Sequence, residues 1–143
     1  MIIQNAVKII EDKDNPFYLV SSHRHDFKTY NLKGGTYISV DGGTEYIRRV
    51  GDLESKGGGW IDWSLDSNDN IRIVREKLLW GHYPLNPTPK NCSLKYSLIK
   101  DLQLDHLKAI VKTQKNINPI HLKVIKYWVE EKSKSDLEKS KKD

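Results

Sequence analysis

Cysteine is nearly missing from this chain: among 143 residues, Cys92 stands alone. A single cysteine excludes an internal disulfide and leaves a thiolate-rich zinc site without ligands. Long apolar runs are missing too. No stretch approaches the roughly 18 residues of a membrane span, and no charged-then-apolar leader opens the sequence. There is no P-loop, no dinucleotide fingerprint and no serine or cysteine in a nucleophile elbow. The expectation is therefore a soluble intracellular protein with no membrane partner and no cofactor.

What is present is charge. Lysine and arginine number 24 against 19 acids, a net charge of +5, and only 37% of residues are hydrophobic. The excess does not lie in the tail. Residues 130–143, "EEKSKSDLEKSKKD", carry as many acids as bases and one apolar residue, so they read as a frayed helix end or a disordered extension. Residues 1–129 are long enough for a single domain with one core.

The first half reads as β. "AVKII", "FYLVSSH", "TYISV" and "EYIRRV" are short β-branched or aromatic segments broken by "KDNP", "KGG" and "DGG". The glycines after Val40 and Asp41 suit the positive φ of a hairpin turn. On regular strands, Tyr46 and Arg48 would share one face and Arg49 the other, and His23, His25 and Phe27 would project together. Residues 51–70 are loop-like, with a short packed piece around Trp60 and Trp63. In "NIRIVREKLLWGHY" a helix stripe capped by Asp69 or Asn70 gives way to strand-like residues. "PLNPTPKN" reads as a loop and "SLKYSLI" as a strand. "LDHLKAIVKTQ" is an amphipathic helix, and Asn118 before Pro119 is a helix start. The fold class is α+β: a small antiparallel β-sheet in the N-terminal half, followed by two C-terminal α-helices.

The histidines and arginines of "SSHRHDF" and "VDGGTEYIRR" admit three chemistries. A metal site is the poorest fit. His23 and His25 have only Asp26 nearby, and His82, His106 and His121 lie at unrelated positions. A catalytic base is little better, because adjacent His25 and Asp26 would point to opposite strand faces. A cradle for a phosphate-bearing ligand suits the residue types best. Arg24, Arg48 and Arg49 carry planar donor forks matched to phosphate oxygens. His23 and His25 can bond a ribose or base, and Tyr46, Trp80 or Tyr83 can stack on one. His106, near a helix start, could face an anion. An internal pair between an arginine and a carboxylate fits "YIRRV" equally well. Trp60, Trp63 and Trp128 read as core or interface aromatics.

Taken in order, "HDF" (25–27), "VDGGTEYIRRVGD" (40–52), "VREKLLWG" (74–81) and "IKDLQLDHLKAIVKTQ" (99–114) resemble a family of small proteins encoded by tailed phages. Many members are similar to ribbon-type zinc modules, with cysteine pairs around "HDF". Here Tyr30 and Leu32 stand where the second pair would fall, so the retained residues cannot owe their presence to zinc. The architecture is also similar to the Thoeris anti-defence proteins. These sequester, without degrading them, the cyclic ADP-ribose signals made by bacterial TIR immune enzymes. That resemblance implies a non-enzymatic binder in the cytoplasm of an infected bacterial host. Its partner would be a small nucleotide-derived signalling ligand, and its site would be completed in a homo-oligomer. The alternative is a phage accessory module that binds nucleic acid or protein. A phosphodiesterase or nuclease using His23 or His25 is a third possibility.

Overall fold

A computed structural model describes residues 1–51, 59–83, 88–89 and 94–142, with side chains up to residue 136. Cys92 and most of the "PLNPTPKN" loop lie outside the described residues. The fold is α+β, with small antiparallel sheets in the N-terminal half and helices at the C-terminus. The chain divides into two compact units, Met1–Asp69 and Asn70–Asp143, a division the composition did not mark.

The first unit is built on β1 (Ile2–Ile9), which pairs antiparallel with β2 (Phe17–Ser21) on one side. On its other side β1 pairs with β5 (Trp60–Asp62) and β6 (Leu65–Asp66). A separate hairpin joins β3 (Lys28–Asn31) to β4 (Tyr37–Val40). Val7 and Ile9 alternate along β1, and Ile38 and Val40 along β4. These four form one buried cluster with Leu32 and Trp60, flanked by Leu19 and Tyr30. The hairpin thus closes onto the sheet through these side chains, while Ser39 and residues 3–6 are buried as well, so β1 and β4 are covered on both faces; each fully buried apolar side chain contributes roughly 1.5–3 kcal/mol.

Two sequence expectations need correction here. Residues 45–50 are not a strand. Their strand-type pairing is limited to an isolated bridge, Asp41 with Arg48, with a second, Ile38 with Gly51, just beyond them; the Ser39 hydroxyl accepts from the Val50 amide at 2.9 Å. Nor does β2 continue through His23 and His25, since it ends at Ser21 and residues 22–27 form a loop. The β3 strand was not foreseen. Its alternation in "KTYN" is broken by polar residues, and β4 supplies the pairing that makes it a strand.

In the second unit, α1 (Ile71–Lys77) starts at Asn70, whose side chain accepts from the Arg72 amide at 2.9 Å. The chain then turns into β7 (Leu79–His82), paired with β8 (Lys95–Leu98). Two longer helices follow, α2 (Leu104–Thr113) and α3 (Pro119–Lys142). The Asn118 side chain caps α3 by accepting from the Ile120 amide. Residues 130–142 continue α3 as helix, supported by pairs from Lys134 to Glu130 and Glu131. Trp128 packs inward, its indole N–H donating to the Arg75 carbonyl at 3.1 Å. Leu78, Ile99, Leu107, Val124 and Ile125 are fully buried.

Candidate functional site

The loop 22–27 and the segment 41–48 are locked together by small side chains. Ser21 closes β2 with a hydroxyl that accepts from the Gly43 amide at 2.9 Å and donates to the Asp26 carbonyl at 2.6 Å. The Asp26 carboxylate accepts from the Ser22 amide at 2.8 Å and from its hydroxyl at 3.1 Å. Burial raises the pKa of Asp26, but the Ser22 bonds and the charge of Lys28 outweigh it and hold the carboxyl below its ordinary range. Gly43, at φ 53°, lies so close under His23 that a Cβ there would stand 2.4 Å from the His23 carbonyl carbon. The two glycines after Asp41 do adopt positive φ, but in a wider turn than a two-residue hairpin.

His25 is the one non-glycine residue at positive φ (65°) among the described residues. Its Nδ1 is 3.2 Å from the Tyr46 hydroxyl, which donates toward the Asp41 carboxylate at 3.5 Å. Asp41 is buried. Its carbonyl, with that of Tyr46, accepts from the Asn5 side-chain amide at 2.7 and 3.1 Å. A carboxylate, a phenol and an imidazole are thus aligned by β1. The strained backbone of His25 is held by this chain of contacts, an arrangement that concentrates at functional sites.

Around the aligned groups stand His23, Arg24 and Arg48, all exposed. Arg24 pairs with Glu45 at 3.4 Å, both side chains being more than half exposed. Such a pair is worth little and exchanges readily for a stronger anion. Arg49 goes elsewhere. Its guanidinium donates to the Asn5 side-chain oxygen at 2.8 Å, to the Ser64 hydroxyl at 2.8 Å and to the Ala6 carbonyl at 3.3 Å. It also faces Asp62 at 3.5 Å. Burial draws its pKa down and Asp62 raises it only in part. Arg49 therefore clamps β1 to residues 41–49. Asn5, Ser21, Asp26 and Asp41 position the site. The sequence pointed to Asp26 and Asp41 only as residues beside the histidines and glycines, and Asn5 and Ser21 were missed, because nothing local marks an Asn within a strand or a Ser at its end.

Trp80, Tyr83 and His106 belong to the second unit. Trp80 meets the His121 ring edge-on at 6.3 Å, and Tyr83 is exposed. His106 meets His82 at 5.9 Å with the rings nearly perpendicular, and His82 Nε2 is 2.8 Å from the Ser97 hydroxyl. Burial, then the neighbouring His82, lowers the pKa of His106. Burial alone lowers that of His121, whose Nδ1 has no hydrogen-bond partner among the described residues.

A histidine with a lowered folded pKa binds fewer protons in the native state than in the unfolded one. The second unit should hold its full stability above pH 6.5, the ordinary value for these groups, and lose it progressively as pH falls below that. The slope is at most about 1.4 kcal/mol per pH unit for each proton taken up. Urea denaturation at pH 7.5 and 5.5 measures the loss. His121→Phe, which replaces a half-buried imidazole by an apolar ring, should flatten the dependence.

Among the described residues, no three His, Cys, Asp or Glu side chains gather as a metal ion would require. Nor is any helix there long and apolar enough to cross a membrane. No family model, no curated protein and no solved structure matches the chain.

Proposed function

We propose that the surface formed by residues 22–27 and 41–48 binds a phosphate-bearing, nucleotide-derived small molecule without breaking it. The observation that carries this reading is His25. A strained residue is held by Tyr46 and Asp41, with exposed Arg24 next to it in the chain and exposed Arg48 bridged through its backbone to Asp41. Guanidinium forks receive phosphate oxygens, and His23 and His25 offer hydrogen bonds to a ribose or base. Nothing at the site supplies an activated nucleophile, which suits capture rather than turnover.

In its sharper form, drawn from the sequence resemblance, the protein is a phage anti-defence sponge. It would hold a cyclic ADP-ribose isomer in the cytoplasm of an infected bacterium. Phe27 and Ile47, in the same two segments, are about half exposed (53% and 46%), which favours a second copy covering the site as a homo-oligomer.

The test incubates the protein with cyclic ADP-ribose isomers, removes unbound ligand by gel filtration and releases the remainder by heat for mass spectrometry. Intact ligand is expected, and Arg48→Ala should weaken retention about 10- to 100-fold, the worth of one charge-assisted contact. Its melting temperature should be unchanged. No retained ligand overturns the reading. A cleaved product would make His25, with Tyr46 and Asp41, part of a hydrolase. Preferential binding of oligonucleotides that weakens steeply with salt would make the surface a nucleic-acid interface.

A further inference from the structure

At the other end of the β3–β4 hairpin, three lysines from separate segments converge on one groove of about 580 Å³. Lys8 comes from β1, Lys13 from the loop after it and Lys33 from the turn between β3 and β4. The volume lies within the roughly 300–1,000 Å³ of small-molecule sites, and Ile10 and Pro16 give it apolar walls. Among the described residues, no carboxylate lies within ion-pair distance of these three cations. Asp12 and Asp14 flank Lys13. Hydrogen bonds, that from the Asn15 side chain foremost, hold the Asp12 carboxyl below its ordinary range, and the charge of Lys33 adds a minor pull. The Asp12 side chain is also engaged within its own loop. There it accepts from the Asp14 amide at 3.1 Å and the Asn15 side chain at 3.3 Å. Lys8 is held in place over the Tyr18 and Trp63 rings, 5.8 and 5.1 Å from their centroids.

The groove also contains an acceptor unanswered among the described residues. Glu11 lines it, and its Oε2 accepts from the Lys33 amide at 2.8 Å, while its Oε1 is buried with no partner among the described residues. Leaving a buried carboxylate oxygen unpaired costs stability, and a hydrogen-bond donor entering the groove would recover it. The terminal torsion of a glutamate is soft, so a small rotation brings Oε1 to such a donor. The ligand that answers both features carries negative charge for the lysines and a flat N–H edge for the carboxylate.

We propose that this groove is a second binding site, distinct from the His25 surface, for a purine nucleotide. Its phosphates would face Lys8, Lys13 and Lys33, and its base would lie between Ile10 and Pro16 with an N–H edge toward Glu11. The cation near Trp63 makes indole fluorescence a direct reporter.

The experiment titrates the full chain with GTP, ATP, inorganic triphosphate and a short single-stranded oligonucleotide, following tryptophan emission and heat. Saturable binding of a purine nucleotide, tighter than inorganic triphosphate, is expected. Lys13→Ala with Lys33→Ala should weaken it at least tenfold without moving the melting temperature, since both side chains are exposed and the Lys33 amide is retained. Glu11→Gln should raise affinity for inorganic triphosphate and narrow the preference for the nucleotide. Binding unaffected by the lysine changes, or no nucleotide binding, overturns the proposal, as does tighter, salt-sensitive binding of the oligonucleotide. Arg48→Ala should leave this titration unchanged. If it abolishes the signal, the nucleotide occupies the His25 surface and the groove assignment fails, whereas failure of the ligand-retention test alone leaves the groove standing.

Discussion

Alanine at Gly42 is expected to unseat residues 41–48 and to destabilise the first unit by about 3 kcal/mol or more. Two costs combine. Gly42 sits at φ 104°, where an L side chain is strained by about 1–3 kcal/mol. An added Cβ would also lie 1.9 Å from the Tyr46 carbonyl oxygen and 2.4 Å from its ring. Neither contact can be relieved cheaply. The Tyr46 carbonyl is held by Asn5 and the Tyr46 ring positions His25, so any shift breaks the alignment as well. Gly34→Ala is the matched control: nothing lies within 4 Å of its Cβ position and its φ is not in the left-handed region. That change should be neutral, or stabilising by up to about 1 kcal/mol through the unfolded chain. Chemical denaturation of the two variants, with the His25 ring resonances followed by NMR, separates these outcomes. Equal midpoints would show that residues 41–48 are not seated as described.

The same comparison explains what could be read from the sequence. Elements with a strong local signal were legible. Asn70 and the Asn118–Pro119 pair mark helix starts by chemistry that acts within two residues. The passage from a helix stripe to strand-like residues in "NIRIVREKLLWGHY" was visible, though its boundary was not. Residues 22–27 and 45–50 were misread because their order comes from distant groups. Ser21 reaches Gly43, and Asn5 reaches Asp41 and Tyr46, so β-like composition there reflects packing against β1 rather than strand pairing. Of the candidate site residues, His23, Arg24, His25, Tyr46 and Arg48 lie in the two segments that Ser21 and Asn5 hold together. Arg49 does not join them, and Trp80, Tyr83 and His106 sit in the other unit.

Arg48 and Arg49 should separate sharply on replacement, though not because of strand alternation. Arg48→Ala is expected to change stability by no more than about 0.5 kcal/mol, as for most exposed positions. Arg49→Ala should cost about 2–4 kcal/mol, because its side chain is only 13% exposed and the change orphans several groups together. The Asn5 side-chain oxygen and the Ser64 hydroxyl would lose their donor, and Asp62 its nearest cation. Arg49→Lys is the discriminating variant. A lysine keeps the charge beside Asp62 but offers one nitrogen where the guanidinium spreads donors across Asn5, Ala6 and Ser64. It should recover less than half of the lost stability. Full recovery would mean that charge alone holds the clamp. Denaturation midpoints at low and high salt decide this, since a hydrogen-bonded network is far less sensitive to screening than an ion pair. Because the clamp holds Asn5 against the carbonyls of Asp41 and Tyr46, Arg49→Ala should also weaken ligand retention, but together with stability. Arg48→Ala should weaken retention with stability intact, and that contrast assigns one arginine to the fold and its neighbour to the ligand.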